Sequence, residues 1–587
     1  MAGRRGIGFV VGLIVFACIV SAAGVAALWY VLGREPSVAS NALLVMRLDT
    51  DLRDGSSDDV VRQLLGGGAP KTLRSIVDDL RKAKVDKRVK AVLIVPGGLQ
   101  APLWGRIQEL RDAILDYRRS GKPAYAYLEY GDDRVYYLAT ACDRIFLMPS
   151  SQLDVNGLAS YEIFLRGTLD LIGAYPDFLH VGEYKTAANQ FTEKGYTPAH
   201  REMSESINHD MFDQLVKGIA QGRKKSDADV RALIDDGPFL APAAKKAGLI
   251  DDLAYVDQLD DKINALGGKL ARIEDREYGK VSPASLGLNK GPKIALIQAS
   301  GVIASGDSGF DAVSGQVLGS DTIIKYIREA RADNSVKAIV LRVDSPGGSA
   351  VASDAIWREL TITRTQKPDR PLIVSMSDVA ASGGYYIAMA APYIVAEPAT
   401  ITGSIGVITG KIVTGGTWAK VGANMESTSS GRNAEMSSPI RPFNDSERAK
   451  IQEGIQSFYD QFVEKAAESR HMAPAKLEAL ARGRVWTGRQ AKQNGLVDDL
   501  GGLDRALAVA KQRAHITSDE VEVVVYPPKR TLFDFVQQSL QSQDQAGALL
   551  SAALPLDERR ALGIALAPMR LFHAGELLTL MPSSFSR

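Results

Sequence analysis

"TLRSIVDDLRKAKVDKRVKAVLIV" (72–95) returns further along the chain as "SDTIIKYIREARADNSVKAIVLRV" (320–343). In each copy apolar residues recur at helical spacing, Ile76, Leu80, Ala83 in one and Ile323, Ile327, Ala330 in the other, and a short apolar run follows. That spacing gathers the apolar side chains on one helix face, and the run of Val, Ile and Leu reads as a strand buried on both sides. An amphipathic helix feeding a buried strand is thus written twice.

Other markers repeat in the same order. "AGLIDDL" (247–253) returns as "NGLVDDL" (494–500), and "PAYAYLEYGDDRVYYLATACDRIFLMPSS" (123–151) matches "PLIVSMSDVAASGGYYIAMAAPYIVAEPAT" (371–400). Each of the last pair reads strand, turn, helix, strand. Strands and helices alternating throughout predict an α/β fold with mostly parallel pairing, in tandem. The expected boundaries are a first repeat over 42–265, a linker over 266–291 rich in Gly and mixed charge, and a second repeat over 292–527. A helical tail is expected over 528–587; Pro568, Arg570, His573 and Glu576 break its apolar stretch, which favours docking on another subunit or a membrane surface over a second span.

With 587 residues, 45% of them hydrophobic, the chain is long enough for two full-sized cores. Its formal charge of +1 carries no nucleic-acid footprint, and Arg223, Lys224 and Lys225 read as a solvated loop or helix end. The two cysteines, Cys18 and Cys142, provide no disulfide framework within the soluble part. At the N-terminus "MAGRR" (1–5) precedes an uncharged stretch from Ile7 to Gly33, long enough at about 1.5 Å per residue to cross a hydrocarbon core of about 30 Å. Residues 1–6 are then cytoplasmic, 7–33 a bilayer anchor with Trp29 and Tyr30 near its end, and the rest exported. A cleaved signal peptide is the rival reading, given Ala22, Ala23, Ala26 and Ala27; Cys18 after bulky Phe16 is a poor lipoprotein match.

The two copies differ where chemistry is expected. Setting "YYLA" (136–139) on "YYIA" (385–388) places Ser382 of "DVAASGGYYIA" opposite Asp133, and the same alignment places Lys185 of "GEYKTA" opposite Ala434. One copy holds a serine against open glycine backbone; the other holds a lysine. None of His180, His200, His209, His471, His515 or His573 lies in a triad motif. A lysine serves as general base only if its pKa falls several units from about 10.4, which burial between two domains can bring about. "DSPGGSA" (344–350) is a second glycine-rich turn, and it offers Gly347 or Gly348 beside Gly383 as N–H donors to an oxyanion; alternatively it is only a strand-to-helix turn. Ser404 in "TGSIG" (402–406) either supports the lysine amine or caps a turn.

With "SPGGS", "DVAASGGYYIA", "TITGSIGV" and "GEYKTA" together, the chain resembles the signal peptide peptidase A (protease IV) family, peptidase family S49, in its long tandem form. The resemblance implies two Clp-protease/crotonase-like domains, Ser382 as nucleophile and Lys185 as base, and no cofactor or metal. It also implies signal peptides as substrates, a homotetramer, and anchorage in the bacterial inner membrane with the catalytic domains periplasmic. Two other readings keep the fold: an acyl-CoA enzyme of the hydratase type, or a non-catalytic membrane scaffold.

Overall fold

The computed structural model describes residues 35–48, 52–54, 71–97, 99, 103–311, 315–528, 577–581 and 585–586. The expected anchor, 7–33, and most of the expected tail lie outside the described residues. Among the described residues no helix is long and apolar enough to cross a membrane.

The stretch that opens each repeat folds as its pattern requires. Thr72 caps the helix Leu73–Val85 by accepting from the Ser75 N–H, and Leu73, Ile76, Val77, Leu80 and Ala83 are buried. Each buried Leu or Ile contributes roughly 1.5–3 kcal/mol. The strand Val89–Val95 follows, and the second copy gives helix Ser320–Ala332 and strand Val336–Ser345.

Each repeat then builds a parallel sheet in the same strand order. In the first the order is Asp252–Leu253, Arg144–Leu147, Ala124–Leu128, Val89–Val95, Ala42–Arg47, Ala271–Glu274. In the second, Asp499–Leu500, Ile394–Ala396, Leu372–Ala381, Val336–Ser345, Lys293–Ser300 and Glu522–Tyr526 occupy the same places. Side-chain bonds repeat too. Tyr136 donates to the Leu249 carbonyl at 2.6 Å, Tyr385 to that of Leu496 at 3.0 Å. Arg223 pairs with Asp251 as Arg470 pairs with Asp498, so Arg223 is anchored, while Lys224 ends the helix in a left-handed conformation.

Three features differ from the expected boundaries. Within the expected linker, Ala271–Glu274 is the edge strand of the first sheet, because its backbone completes the open side of Ala42–Arg47. Strand Tyr175–Val181 leaves the first repeat and pairs antiparallel with Val407–Val413 of the second, from Val181 opposite Val407 to Tyr175 opposite Val413. The described part of the tail is extended, not helical. Leu578–Leu580 fits between Gly347–Ser349 and Val407–Val413, where unpaired strand edges override local propensity, and Phe585–Ser586 pairs with Ser160–Tyr161.

Buried charges also join the repeats. Arg342, fully buried, reaches Asp54 at 3.0 Å and Glu109 at 2.6 Å in the first repeat. Arg106 pairs with Asp344 and, at 3.3 Å, with Asp378. Burial alone would drive such carboxylates neutral, and the guanidinium groups opposite favour their charged forms.

Candidate active site

Ser382 stands at the end of the buried strand Leu372–Ala381, immediately before the short helix Gly383–Ala388. Its backbone is left-handed, φ 56° and ψ −112°, a conformation that costs a non-glycine residue about 1–3 kcal/mol. Two bonds hold it there: Ser382 N–H donates to the Gly403 carbonyl and the Tyr386 N–H donates to the Ser382 carbonyl, both at 2.8 Å. The strained turn places the serine between the end of the strand and the start of the helix. Asp133, its counterpart, likewise opens a helix, Asp133–Ala139, and burial pushes its carboxyl up to about 7.

Lys185 reaches the same point from the other repeat, just past the end of the crossing strand Tyr175–Val181. Its Nζ and Ser382 Oγ are hydrogen-bonded at 2.7 Å across 197 positions of sequence. The amine also donates to the Ser404 carbonyl at 2.9 Å and approaches Ser404 Oγ at 3.1 Å. Lys185, Ser382 and Ser404 are all 0% exposed. Burial holds the Lys185 pKa well below the usual lysine range, and no carboxylate among the described residues restores the ammonium form. Ala434, which the alignment sets opposite Lys185, lies exposed in a surface turn.

The glycines divide between two tasks. Gly383 is the first residue of its helix, so its N–H has no intrahelical acceptor. Gly347 and Gly348 have φ of 105° and 152°, which side chains avoid, and a Cβ on Gly347 would collide with the Thr579 carbonyl. The Gly347 N–H already donates to Ser345 Oγ at 3.2 Å, whereas Gly348 is paired with Thr579 in the strand register. Gly348 thus lies in register with an extended segment at this point, beside Gly383, and Gly347 leaves room for its backbone.

Other residues position the lysine, and no motif announces them. Tyr184 N–H donates to the Arg482 carbonyl at 3.0 Å, running "GEYKTA" along the segment 481–486 of the second repeat. Gly483, φ 81°, presses directly on the Lys185 backbone: a Cβ there would stand 2.5 Å from Lys185 Cα and 2.6 Å from its Cβ. A Cβ on Gly406 would meet Lys185 Cδ at 3.1 Å. Nothing in "ARGRVW" (481–486) marks Gly483, because its role depends on a chain segment nearly three hundred positions away.

A serine, a desolvated amine within hydrogen-bond reach, and backbone donors at a glycine-lined slot can together carry out acyl transfer. Peptidase family S49 matches the chain twice, over residues 116–268 and 364–517, one segment in each repeat. The chain is 35% identical over 493 residues to the chloroplastic serine protease SPPA of Arabidopsis thaliana, covering 83% of this chain and 71% of that one. It is 31% identical over 513 residues to protease 4 of Haemophilus influenzae, covering 83% and 81%. A solved structure of the 1510-N membrane-bound stomatin-specific protease, a lysine-to-alanine mutant in complex with a substrate peptide, is 17% identical, with a TM-score of 0.25 over 43% of this chain and 99% of that one.

Proposed function

Since the chain belongs to peptidase family S49 and is a serine peptidase, we propose that it cleaves peptides with a dyad of Ser382 and Lys185, each supplied by a different repeat. The observation that carries this is the 2.7 Å contact between the Lys185 amine and Ser382 Oγ in a fully buried setting. With the amine neutral, the serine hydroxyl donates to Nζ. Oγ attacks the substrate carbonyl carbon, the proton passes to Nζ, and the Gly383 and Gly348 N–H groups receive the oxyanion. The ammonium then protonates the leaving amine as the C–N bond breaks. In the second half-reaction Lys185 takes a proton from water, hydroxide displaces the serine from the ester, and Oγ recovers its proton. Ser404, through its carbonyl and hydroxyl, orients the amine in both halves.

The substrates in this reading are signal peptides and other short apolar peptides, and the enzyme is anchored through residues 7–33 with its repeats periplasmic, as a homotetramer. The sequence motifs shared with the signal peptide peptidase A family support these assignments. In the test, the purified full chain is given a fluorogenic apolar peptide and a serine-reactive phosphonate. Ser382→Ala and Lys185→Ala should each abolish turnover while the assembly state is unchanged. A Lys185→Ala enzyme with near-normal rate would rule the dyad out.

A further inference from the structure

Strand Leu578–Leu580 belongs to neither repeat, since the second closes with Glu522–Tyr526. It nevertheless lies in the slot beside the dyad. On one side it pairs antiparallel with Gly347–Ser349, Gly348 opposite Thr579, and the ladder is extended by the Ala350 N–H to the Leu577 carbonyl and the Met581 N–H to the Pro346 carbonyl, both at 3.0 Å. On its other edge Leu578 faces Ile408 of Val407–Val413. Thr579 is fully buried, its hydroxyl donating to the Gly348 carbonyl at 3.1 Å; a Cβ on Gly383, the residue after the nucleophile, would stand 2.7 Å from that hydroxyl. Leu578 and Leu580 point to the opposite face and pack with Ala187, Ala188 and Ile408, the two alanines being in the turn that carries Lys185.

We infer that residues 577–581 are a ligand carried by the chain itself, seated where the extended backbone of a peptide substrate binds, so that external peptide must displace them to reach Ser382. The inference rests on the dyad reading above. Backbone pairing on both edges is how a sheet takes up an extended peptide of any sequence, and the side-chain pockets set the preference. Here those pockets describe the ligand class: apolar residues at two alternate positions, and a small residue between them where Gly348 and Gly383 leave no space for more.

A tethered segment acts at an effective concentration on the order of 1 mM, so an occupant with a Kd of about 0.1 mM slows attack on dilute substrate about tenfold. Two variants release it: Thr579→Arg in the full chain, and a chain ending at Glu576. Each should label Ser382 with phosphonate, and cleave a fluorogenic apolar peptide below KM, about tenfold faster than wild type. Acetyl-Leu-Leu-Thr-Leu-Met-amide added in trans should return both variants to the slow rate, and the Ala350 amide should lose its protection from hydrogen exchange in both. Equal labelling in wild type and variants, with no effect of the added peptide, overturns the self-ligand and leaves the dyad standing. If Ser382 is labelled in none of the three proteins, the released variants included, the dyad itself is overturned.

Discussion

Gly483→Ala is the substitution whose effect the geometry specifies most narrowly. The added methyl would stand 2.5 Å from Lys185 Cα and 2.6 Å from Lys185 Cβ. Carbon atoms rest at about 3.5–4.0 Å, so one of the two segments must yield by roughly 1 Å. Lys185 lies at the end of a loop and Gly483 beside the paired strand Val485–Thr487, so the lysine gives way. A displacement of about 1 Å at a catalytic group can cost about 10²-fold, or about 2.7 kcal/mol of activation energy. The variant also loses stability, because alanine at φ 81° costs about 1–2 kcal/mol. Gly422→Ala separates the two effects: its φ is 78° but no described atom lies within 4 Å of the new methyl. Both variants should show similar falls in melting temperature, and only Gly483→Ala should lose about 10²-fold in kcat/KM on a fluorogenic peptide. If Gly483→Ala retains wild-type kcat/KM, or if Gly422→Ala loses activity equally, close packing on Lys185 does not set the dyad geometry.

Because the base must be neutral, the rate of phosphonate labelling at Ser382 should rise with pH through one ionisation well below the usual lysine range and then level off; a profile still climbing near pH 10 would contradict the burial-driven shift. Lys185→Met should be inactive yet more stable than wild type near neutral pH. Between the lowered folded pKa and the unfolded value of about 10.4 the unfolded chain binds one more proton, so wild-type stability rises with pH across that window, and the methionine advantage in chemical denaturation should shrink accordingly. Arg342→Met takes the partner from Glu109 and leaves Asp54 only the longer 4.0 Å pair with Arg106, and should cost about 3–5 kcal/mol in the same measurement, most of it recovered when both carboxylates become amides; a loss under about 1 kcal/mol would show that the network does not join the repeats.

Much of the architecture was legible because it was written twice. Val89–Val95 and Val336–Ser345 each lie inside a parallel sheet, where burial on both faces imposes an apolar run that periodicity detects. The pairing of Ser382 with Lys185 was legible for a different reason: each copy retains one functional group that the other lacks. The parts that could not be read depend on distant partners. Arg342 interrupts "VKAIVLRV" where the first copy has Val95, and a charge at a buried strand position is a signal, but its acceptors Asp54 and Glu109 are identifiable only once the repeats are packed together. "LTL" at 578–580 is too short, within an apolar stretch compatible with a helix, to declare itself a strand; the edges of Gly347–Ser349 and Val407–Val413 decide its conformation.

The inter-repeat seam sets both the position and the protonation of the lysine, so that in the proposed dyad neither repeat would be a catalytic unit by itself. Position follows from register. Lys185 hangs from Tyr175–Val181, whose pairing with Val407–Val413 fixes it along the second repeat, and a slip of one residue would move it by about 3.4 Å and reverse its facing strand side. A contact of 2.7 Å to Ser382 does not survive such a slip. Protonation follows from dryness. The cause lowering the Lys185 pKa is burial, and Ser382, Ser404, Gly406 and Gly483, which close around it, belong to the second repeat. Separated from them, the amine would be hydrated, charged and incapable of taking a proton from serine. The same contacts that join the two copies thus also lower the pKa of the amine that the proposed dyad uses as its base.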